Sequence, residues 1–77
     1  MVVDRKKRRA RVILECERAL ADYGELGIAS LTFLVEGRVK YQLNAQQVAL
    51  FIRKHPRIRK TGSRLHPAYT LETLNNL

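Results

Sequence analysis

The side chains of this chain that could act on a partner are mostly cations, gathered into two parts of the sequence. Residues 5 to 11 read RKKRRAR, and residues 37 to 71 contain eight cations and no acid. Those eight are Arg38, Lys40, Arg53, Lys54, Arg57, Arg59, Lys60 and Arg64. Residues 12 to 36, between the two blocks, hold one cation against five acids. An acid-free surface requires an external polyanion, and phosphate fits because its neutralisation releases condensed counterions. Solubility alone would not require two blocks.

The residue types give little support for catalysis or for metal binding. Cys16 is the only cysteine, and the two histidines, His55 and His66, each precede a proline, so no zinc-ligand spacing exists. The basic half lacks the clustered carboxylates of metal-dependent nucleases. Ser30 and Ser63 have no base and acid near them in sequence. We therefore expect a protein that is not an enzyme, with no metal and no cofactor, and a buried, inert thiol.

Length and composition predict one domain over residues 1–77. An apolar fraction of 45% suffices for a small core and argues against intrinsic disorder. No signal peptide is recognisable, and the longest nearly uncharged apolar run, residues 26 to 35, is about half of a membrane span. We expect no membrane association and a cytoplasmic location.

The first predicted element is an amphipathic helix between Asp4, a possible cap, and Gly24. Its apolar stripe consists of Ile13, Cys16, Leu20 and Tyr23. This stripe could form the seam of a homodimer or simply cover the core. Because cations at a helix N-terminus oppose the helix dipole, residues 1–8 are expected to form a basic, frayed arm.

The next segment, residues 26 to 35, is apolar nearly all round, so periodicity does not separate a buried helix from a strand. We favour a helix that ends at Glu36 with Gly37 beyond it. The alternative pairs residues 31–35 with residues 39–43 as a hairpin. Residues 39–43 alternate apolar and polar and predict a short strand. The aromatic side chains expected in the core are Tyr23, Phe33 and Phe51.

A third helix is predicted from Asn44 to His55, because Asn44 and Gln47 match a capping box and Pro56 disfavours helical geometry at His55. Its inner stripe is expected to be Ala45, Val48, Ala49 and Ile52. Its outer residues are expected to be Gln46, Gln47, Leu50, Arg53 and Lys54. Residues 57–60 and 68–71 then predict two strands joined by a loop that contains Gly and Pro.

The order of elements in LNAQQVALFIRKHPRIRKTGSRLHPAYTL, residues 43 to 71, resembles the second half of a winged helix-turn-helix domain, particularly the small ones of archaeal and viral regulators. The resemblance is one of pattern and covers 29 of 77 residues. It implies an α+β fold of about three helices with a C-terminal β-hairpin wing. It also implies that helix 44–55 enters the major groove of DNA and that hairpin 57–71 lies along the backbone or the minor groove.

The chain departs from that family between the two crossing helices, where residues 37 to 43 are longer and more strand-like than the usual short turn. Either helix 45–55 corresponds to the first helix of the pair, or the turn is expanded. The assignment of the base-reading helix depends on which alternative holds.

Glutamine can pair with adenine and arginine with guanine, and an exposed leucine can contact a thymine methyl group. The candidate base contacts are therefore Gln46, Gln47, Leu50 and Arg53, although Gln47 could serve only as a cap. The candidate phosphate contacts are Arg5, Lys6, Lys7, Arg8, Arg9, Lys54, Arg57, Arg59, Lys60, Ser63 and Arg64. Only Tyr41 and Tyr69 could stack on unpaired bases, which favours a duplex over a single strand.

The sequence thus leads to the expectation of a double-stranded DNA-binding protein, a dimeric, nucleoid-associated transcriptional regulator. An alternative is an RNA-binding or ribosome-associated module that uses the same cations. A third is a protein-interaction or membrane-surface module anchored by its basic arm, for which RKKRRAR lacks interleaved apolar residues.

Overall fold

A computed structural model describes residues 5–40 and 42–72, which form three helices and a three-stranded antiparallel sheet. The helices are α1 (Arg5–Tyr23), α2 (Ile28–Val39) and α3 (Ala45–Ile52). The strands are β1 (Glu25–Gly27), β2 (Ile58–Gly62) and β3 (Pro67–Leu71). The expected α+β class is confirmed. Across the described ranges, no helix is both long and apolar enough to cross a membrane.

The apolar stripe of α1 packs inside the chain itself. Its fully buried residues are Val12, Cys16, Ala19 and Leu20. The predicted stripe was wrong at Tyr23, whose side chain is 60% exposed because α1 ends there and the chain turns into β1. Of the two roles expected for this stripe, dimer seam or cover of the core, Cys16 and Leu20 take the second.

Both ends of α1 can be compared with the prediction. Residues 5–8 form its first turn, and the proposed cap, Asp4, lies outside the described residues. At the other end, the Gly24 N–H donates to the Leu20 carbonyl oxygen at 2.8 Å. The helix therefore ends where it was expected to end.

The ambiguous apolar segment is divided between a short strand and a helix. Residues 25–27 form β1, and α2 then runs through Gly37 to Val39. The predicted end at Glu36 and the predicted strand 39–43 are therefore wrong. Val39 is buried as the last residue of α2, and Lys40 ends the helix in the left-handed conformation, with φ of 61°. The Glu36 carboxylate accepts the Leu43 N–H at 2.8 Å and holds the loop.

The predicted capping box of α3 is confirmed. Asn44 accepts the Gln47 backbone N–H at 2.8 Å, and the Gln47 side chain accepts the Asn44 N–H at 3.0 Å. Val48 and Ile52 are buried. The helix ends at Ile52 rather than His55, and the following residues form turns before Pro56.

The sheet has the strand order β1-β3-β2, with both pairs antiparallel. The hairpin β2–β3 was predicted to within two residues at each end, whereas β1 was missed because three residues carry no alternation. Ile58 lies opposite Leu71, and Lys60 lies opposite Tyr69. Gly62 has φ of 78°, and a Cβ placed on it would lie 2.5 Å from the His66 carbonyl oxygen.

The core lies where the three helices meet one face of the sheet. Leu20, Leu31, Val35, Val48 and Ile52 are buried together there with Ile58 and Tyr69 from the sheet. The expectation for Phe33 was wrong, because its side chain on α2 is 76% exposed. Phe51 is half-buried and packs against the core from α3.

Candidate nucleic-acid interface

The outer face of α3 carries the side chains expected to contact bases. Gln46, Gln47, Leu50 and Arg53 are all exposed, with Leu50 at 63%. The side-chain oxygen of Gln47 is occupied by the capping box, so a paired contact from Gln47 to adenine would open the cap. Among the described residues, neither Gln46 nor Arg53 forms such a local bond, and Leu50 is exposed beside them.

Three shallow depressions surround this face and share lining residues, so they form one continuous surface, which we call the basic face. One, of about 520 Å³, lies between α3 and the sheet and is lined by Gln46, Leu50, Arg53 and Lys60 among others. The second, of about 470 Å³, lies between α3 and the start of α1. The third, of about 570 Å³, joins them through Arg9, Leu50, Phe51 and Arg53.

Six cations line the basic face, and they come from separate parts of the chain. They are Lys6, Arg8, Arg9, Arg53, Lys54 and Lys60. None of the described residues that line it is acidic. The first turns of α1 thus stand beside Gln47 and Phe51 on α3, although the two segments are about forty residues apart in the sequence.

The remaining predicted phosphate contacts on α1 are only partly placed. Lys7 is exposed on the same helix but does not line the three depressions. Arg5 is the first residue of α1.

The cations of the hairpin do not all share one side. Successive residues of a strand point to opposite faces, so Arg59 and Lys60 diverge. Lys60 faces α3, whereas Arg59 is ion-paired with Glu72. Arg57 is half-buried, and its Nε atom has no hydrogen-bond partner in the described part of the chain. The hairpin cations therefore do not all lie on one face of the sheet.

The tip of the hairpin is exposed and polar apart from one residue. Ser63 Oγ accepts the His66 N–H at 3.0 Å, which leaves the Ser63 hydroxyl hydrogen available to an anion. Arg64 is exposed beside it, and Leu65 is 85% exposed. The tip can therefore reach a phosphate that lies beyond the basic face.

Several other cations are held by acids within the chain. Arg38 contacts Glu15 at 3.6 Å and Asp22 at 3.5 Å. Arg11 and Arg18 each lie 3.2 Å from Glu15. Of the eight cations in the acid-free stretch, Arg38 and Arg59 thus have carboxylate partners. Fewer of these cations are available to an external anion than the composition suggested.

Two of the side chains considered for catalysis or metal binding, Cys16 and His55, are engaged within the fold. Burial, with Glu17 and Glu15 adding to it, raises the pKa of the Cys16 thiol to about 12, so the thiol stays protonated near neutral pH. His55 Nδ1 accepts the Arg57 N–H at 3.0 Å, and His55 Nε2 lies 3.5 Å from Glu17. Within residues 5–40 and 42–72, no group of His, Cys, Asp and Glu is arranged to hold a metal ion.

Sequence reasoning missed Phe51 as a contributor to the basic face, because it was expected in the core but lines two of the depressions. Arg9, a predicted phosphate contact, lines the same two depressions and joins the α1 cations to α3. The charge of RKKRRAR was visible in the sequence, but no local signal indicated which helix it would lie beside. Tyr69, considered as a stacking platform, is buried at 7% exposure, and Tyr41 lies outside the described residues.

The comparisons with known proteins do not assign this surface to a family. No protein-family model matches the chain, and neither the curated proteins nor the solved structures contain a match to it.

Proposed function

We propose that this chain is a winged-helix protein that binds double-stranded DNA through the basic face and acts as a transcriptional regulator. The observation that carries the proposal is the convergence of six cations from α1, the turn after α3 and β2 around the exposed side of α3. The phosphate backbone of a duplex suits such a surface, because each neutralised phosphate releases counterions. The proposed activity is binding alone, and it would place the protein on the nucleoid.

The arrangement of elements supports this mode of binding. Helices α2 and α3 are joined by residues 40–44, a shorter connection than the sequence indicated, because α2 extends to Val39. Helix α3 is thus the second of a helix pair, the position of the base-reading helix in helix-turn-helix proteins. An α-helix with its side chains is about 10–12 Å across, which fits the major groove width of about 12 Å.

In the proposed complex, α3 places Gln46, Leu50 and Arg53 against base edges. The flanking cations neutralise phosphates on either side of the groove. The β2–β3 hairpin serves as the wing, with Lys60 near α3 and Arg64 at the tip. Base contacts then supply sequence preference, and phosphate contacts supply most of the affinity.

A salt titration of binding to random duplex tests the electrostatic part of the proposal. If about six cations meet phosphates, log K falls with log salt at a slope of about −5. A slope shallower than about −2 contradicts binding to a duplex backbone.

A selection from random sequences followed by substitution tests the base contacts. We expect Gln46→Ala and Arg53→Ala to reduce the preference for the selected site by about 1–3 kcal/mol each. Gln42→Ala provides a control, because Gln42 is exposed but lies outside the basic face. Competition with structured RNA at the same salt concentration separates the DNA proposal from an RNA-binding module: stronger binding to RNA contradicts the former.

A further inference from the structure

An apolar patch lies on the molecule apart from the basic face, formed by the end of α1, β1 and α2. It surrounds a shallow depression of about 440 Å³ whose lining residues carry no charge. These residues are Tyr23, Leu26, Ala29, Ser30, Phe33 and Leu34. Phe33 is 76% exposed and Tyr23 is 60% exposed. Contiguous exposed apolar surface of this kind marks an interaction site.

We propose that this patch binds the same patch of a second copy of the chain, forming a two-fold homodimer. The proposal does not rest on DNA binding, since the patch shares no residue with the basic face. It replaces the seam that the sequence suggested along α1, whose apolar stripe is buried in the core.

The charge around the patch favours a second copy over a charged partner. Of the two acids beside it in sequence, Asp22 is paired with Arg38 at 3.5 Å, and Glu25, which keeps its charge, accepts the Thr61 hydroxyl at 2.6 Å on the neighbouring strands. A polyanion or a basic protein would find no complementary charge among the lining residues. Two copies with a net charge of +8 each repel one another least where their cations are fewest.

The shape of the patch is suited to pairing with itself. Phe33 projects from α2, and the smaller residues Ala29 and Ser30 lie one helical turn before it. In a two-fold interface, every contact from the first copy to the second is repeated from the second to the first. Phe33 of each copy can therefore enter the depression beside Ala29 and Ser30 of the other. The protruding Phe33 ring and the depression that would receive it thus belong to the same patch.

The available area sets the expected strength of the dimer. The exposed parts of Phe33 and Tyr23 from two copies amount to roughly 500 Å², nearly half of the lower limit of about 1,200 Å² for a standard interface. Leu26, Ala29 and Leu34 add to this area. A small interface of this kind predicts a weak, concentration-dependent dimer that dissociates in the micromolar to millimolar range.

Sedimentation equilibrium of the full chain, freed of nucleic acid, tests the proposal across that concentration range. We expect a monomer–dimer equilibrium for the native chain, and a Kd at least about tenfold weaker for Phe33→Ser and for Tyr23→Ser. The control is Leu65→Ser, because Leu65 is the most exposed large apolar side chain described but lies on the hairpin tip. This variant should dimerise like the native chain.

Three results would overturn the proposal. One is a monomer at millimolar concentration, and another is a dimer insensitive to both aromatic substitutions. The third is equal disruption by Leu65→Ser, which would move the interface to the hairpin. Because Phe33 and Tyr23 are exposed, their substitution leaves the core intact, and a circular dichroism spectrum like that of the native chain verifies the fold. A dimer that forms without nucleic acid is informative whether or not the DNA-binding proposal holds.

Discussion

Glu15 shows how a single residue decides which cations are available to a partner. Its side chain is nearly buried, yet its two oxygens lie within 3.2–3.6 Å of the guanidinium groups of Arg11, Arg18 and Arg38. A buried carboxylate requires such compensation, because desolvation of an unpaired charge costs several kcal/mol. Each of the three arginines thereby shares an internal carboxylate, although Arg11 and Arg18 stay 56% and 60% exposed.

Replacement of Glu15 by Gln should lower the free energy of unfolding by about 2–3 kcal/mol, because three guanidinium groups lose their shared carboxylate. Asp22→Asn is the matched control. Asp22 also contacts Arg38, but its side chain is 64% exposed, so we expect a loss below about 0.5 kcal/mol. Urea denaturation of the two variants measures both values. Similar losses in the two variants would show that burial does not govern the strength of these pairs.

The β2–β3 hairpin is the element that brings Lys60 toward α3 and carries Arg64 at its tip. Its turn depends on Gly62, since φ of 78° is unfavourable for other residues and the space for a Cβ is occupied by the His66 carbonyl. The Thr61 hydroxyl also reaches Glu25 on β1 across β3, so the hairpin is fixed to the rest of the sheet. The position of the proposed wing thus follows from backbone geometry.

Replacing two glycines by alanine tests whether the turn specifically requires glycine at position 62. Gly62→Ala should destabilise the fold by about 1–3 kcal/mol, because the added methyl group meets backbone atoms in a strained conformation. Gly37→Ala should stabilise it by about 0.5–1 kcal/mol, because Gly37 lies inside α2 with open space around its Cα. Thermal unfolding of both variants gives the comparison. Stabilisation by Gly62→Ala would contradict the described turn.

At the scale of the whole molecule, the fold divides the surface into regions of different character. The first turns of α1, the outer side of α3 and Lys60 of β2 form the basic face. The apolar patch of α1, β1 and α2 lies apart from it and has no charged lining residue. A dimer through the apolar patch would therefore leave two basic faces available, and binding of both to one duplex would raise the affinity through effective concentration.

The neighbours Arg59 and Lys60 test this division with the same change in net charge. We expect Lys60→Gln to make the salt slope of duplex binding shallower by about 0.9, because one phosphate contact is lost. Arg59→Gln should leave the slope almost unchanged, since Arg59 is held by Glu72 on the other side of the strand. A salt titration of duplex binding by each variant measures the two slopes. Equal effects would mean that net charge, rather than the arrangement of the fold, controls binding.

The local elements of this fold were largely predictable, and the exceptions have identifiable physical causes. The capping box of α3 and the β2–β3 hairpin depend on residues close in sequence, so spacing and turn chemistry indicated them. The alternation of residues 39–43 predicts a strand, but Val39 is instead buried as the last residue of α2. Strand β1 was missed because its pairing with β3 joins residues more than forty positions apart.

What the sequence by itself determined is the charge of the chain, the α+β class and the residues that α3 exposes. Tertiary structure alone decided which cations come together and which are held by acids. Charge depends on composition, but the distance between charges depends on packing between remote segments. Helix α1 brings its basic first turns to α3, Glu15 and Glu72 engage four arginines, and Phe33 and Tyr23 remain outside the core that their apolar character predicted for them.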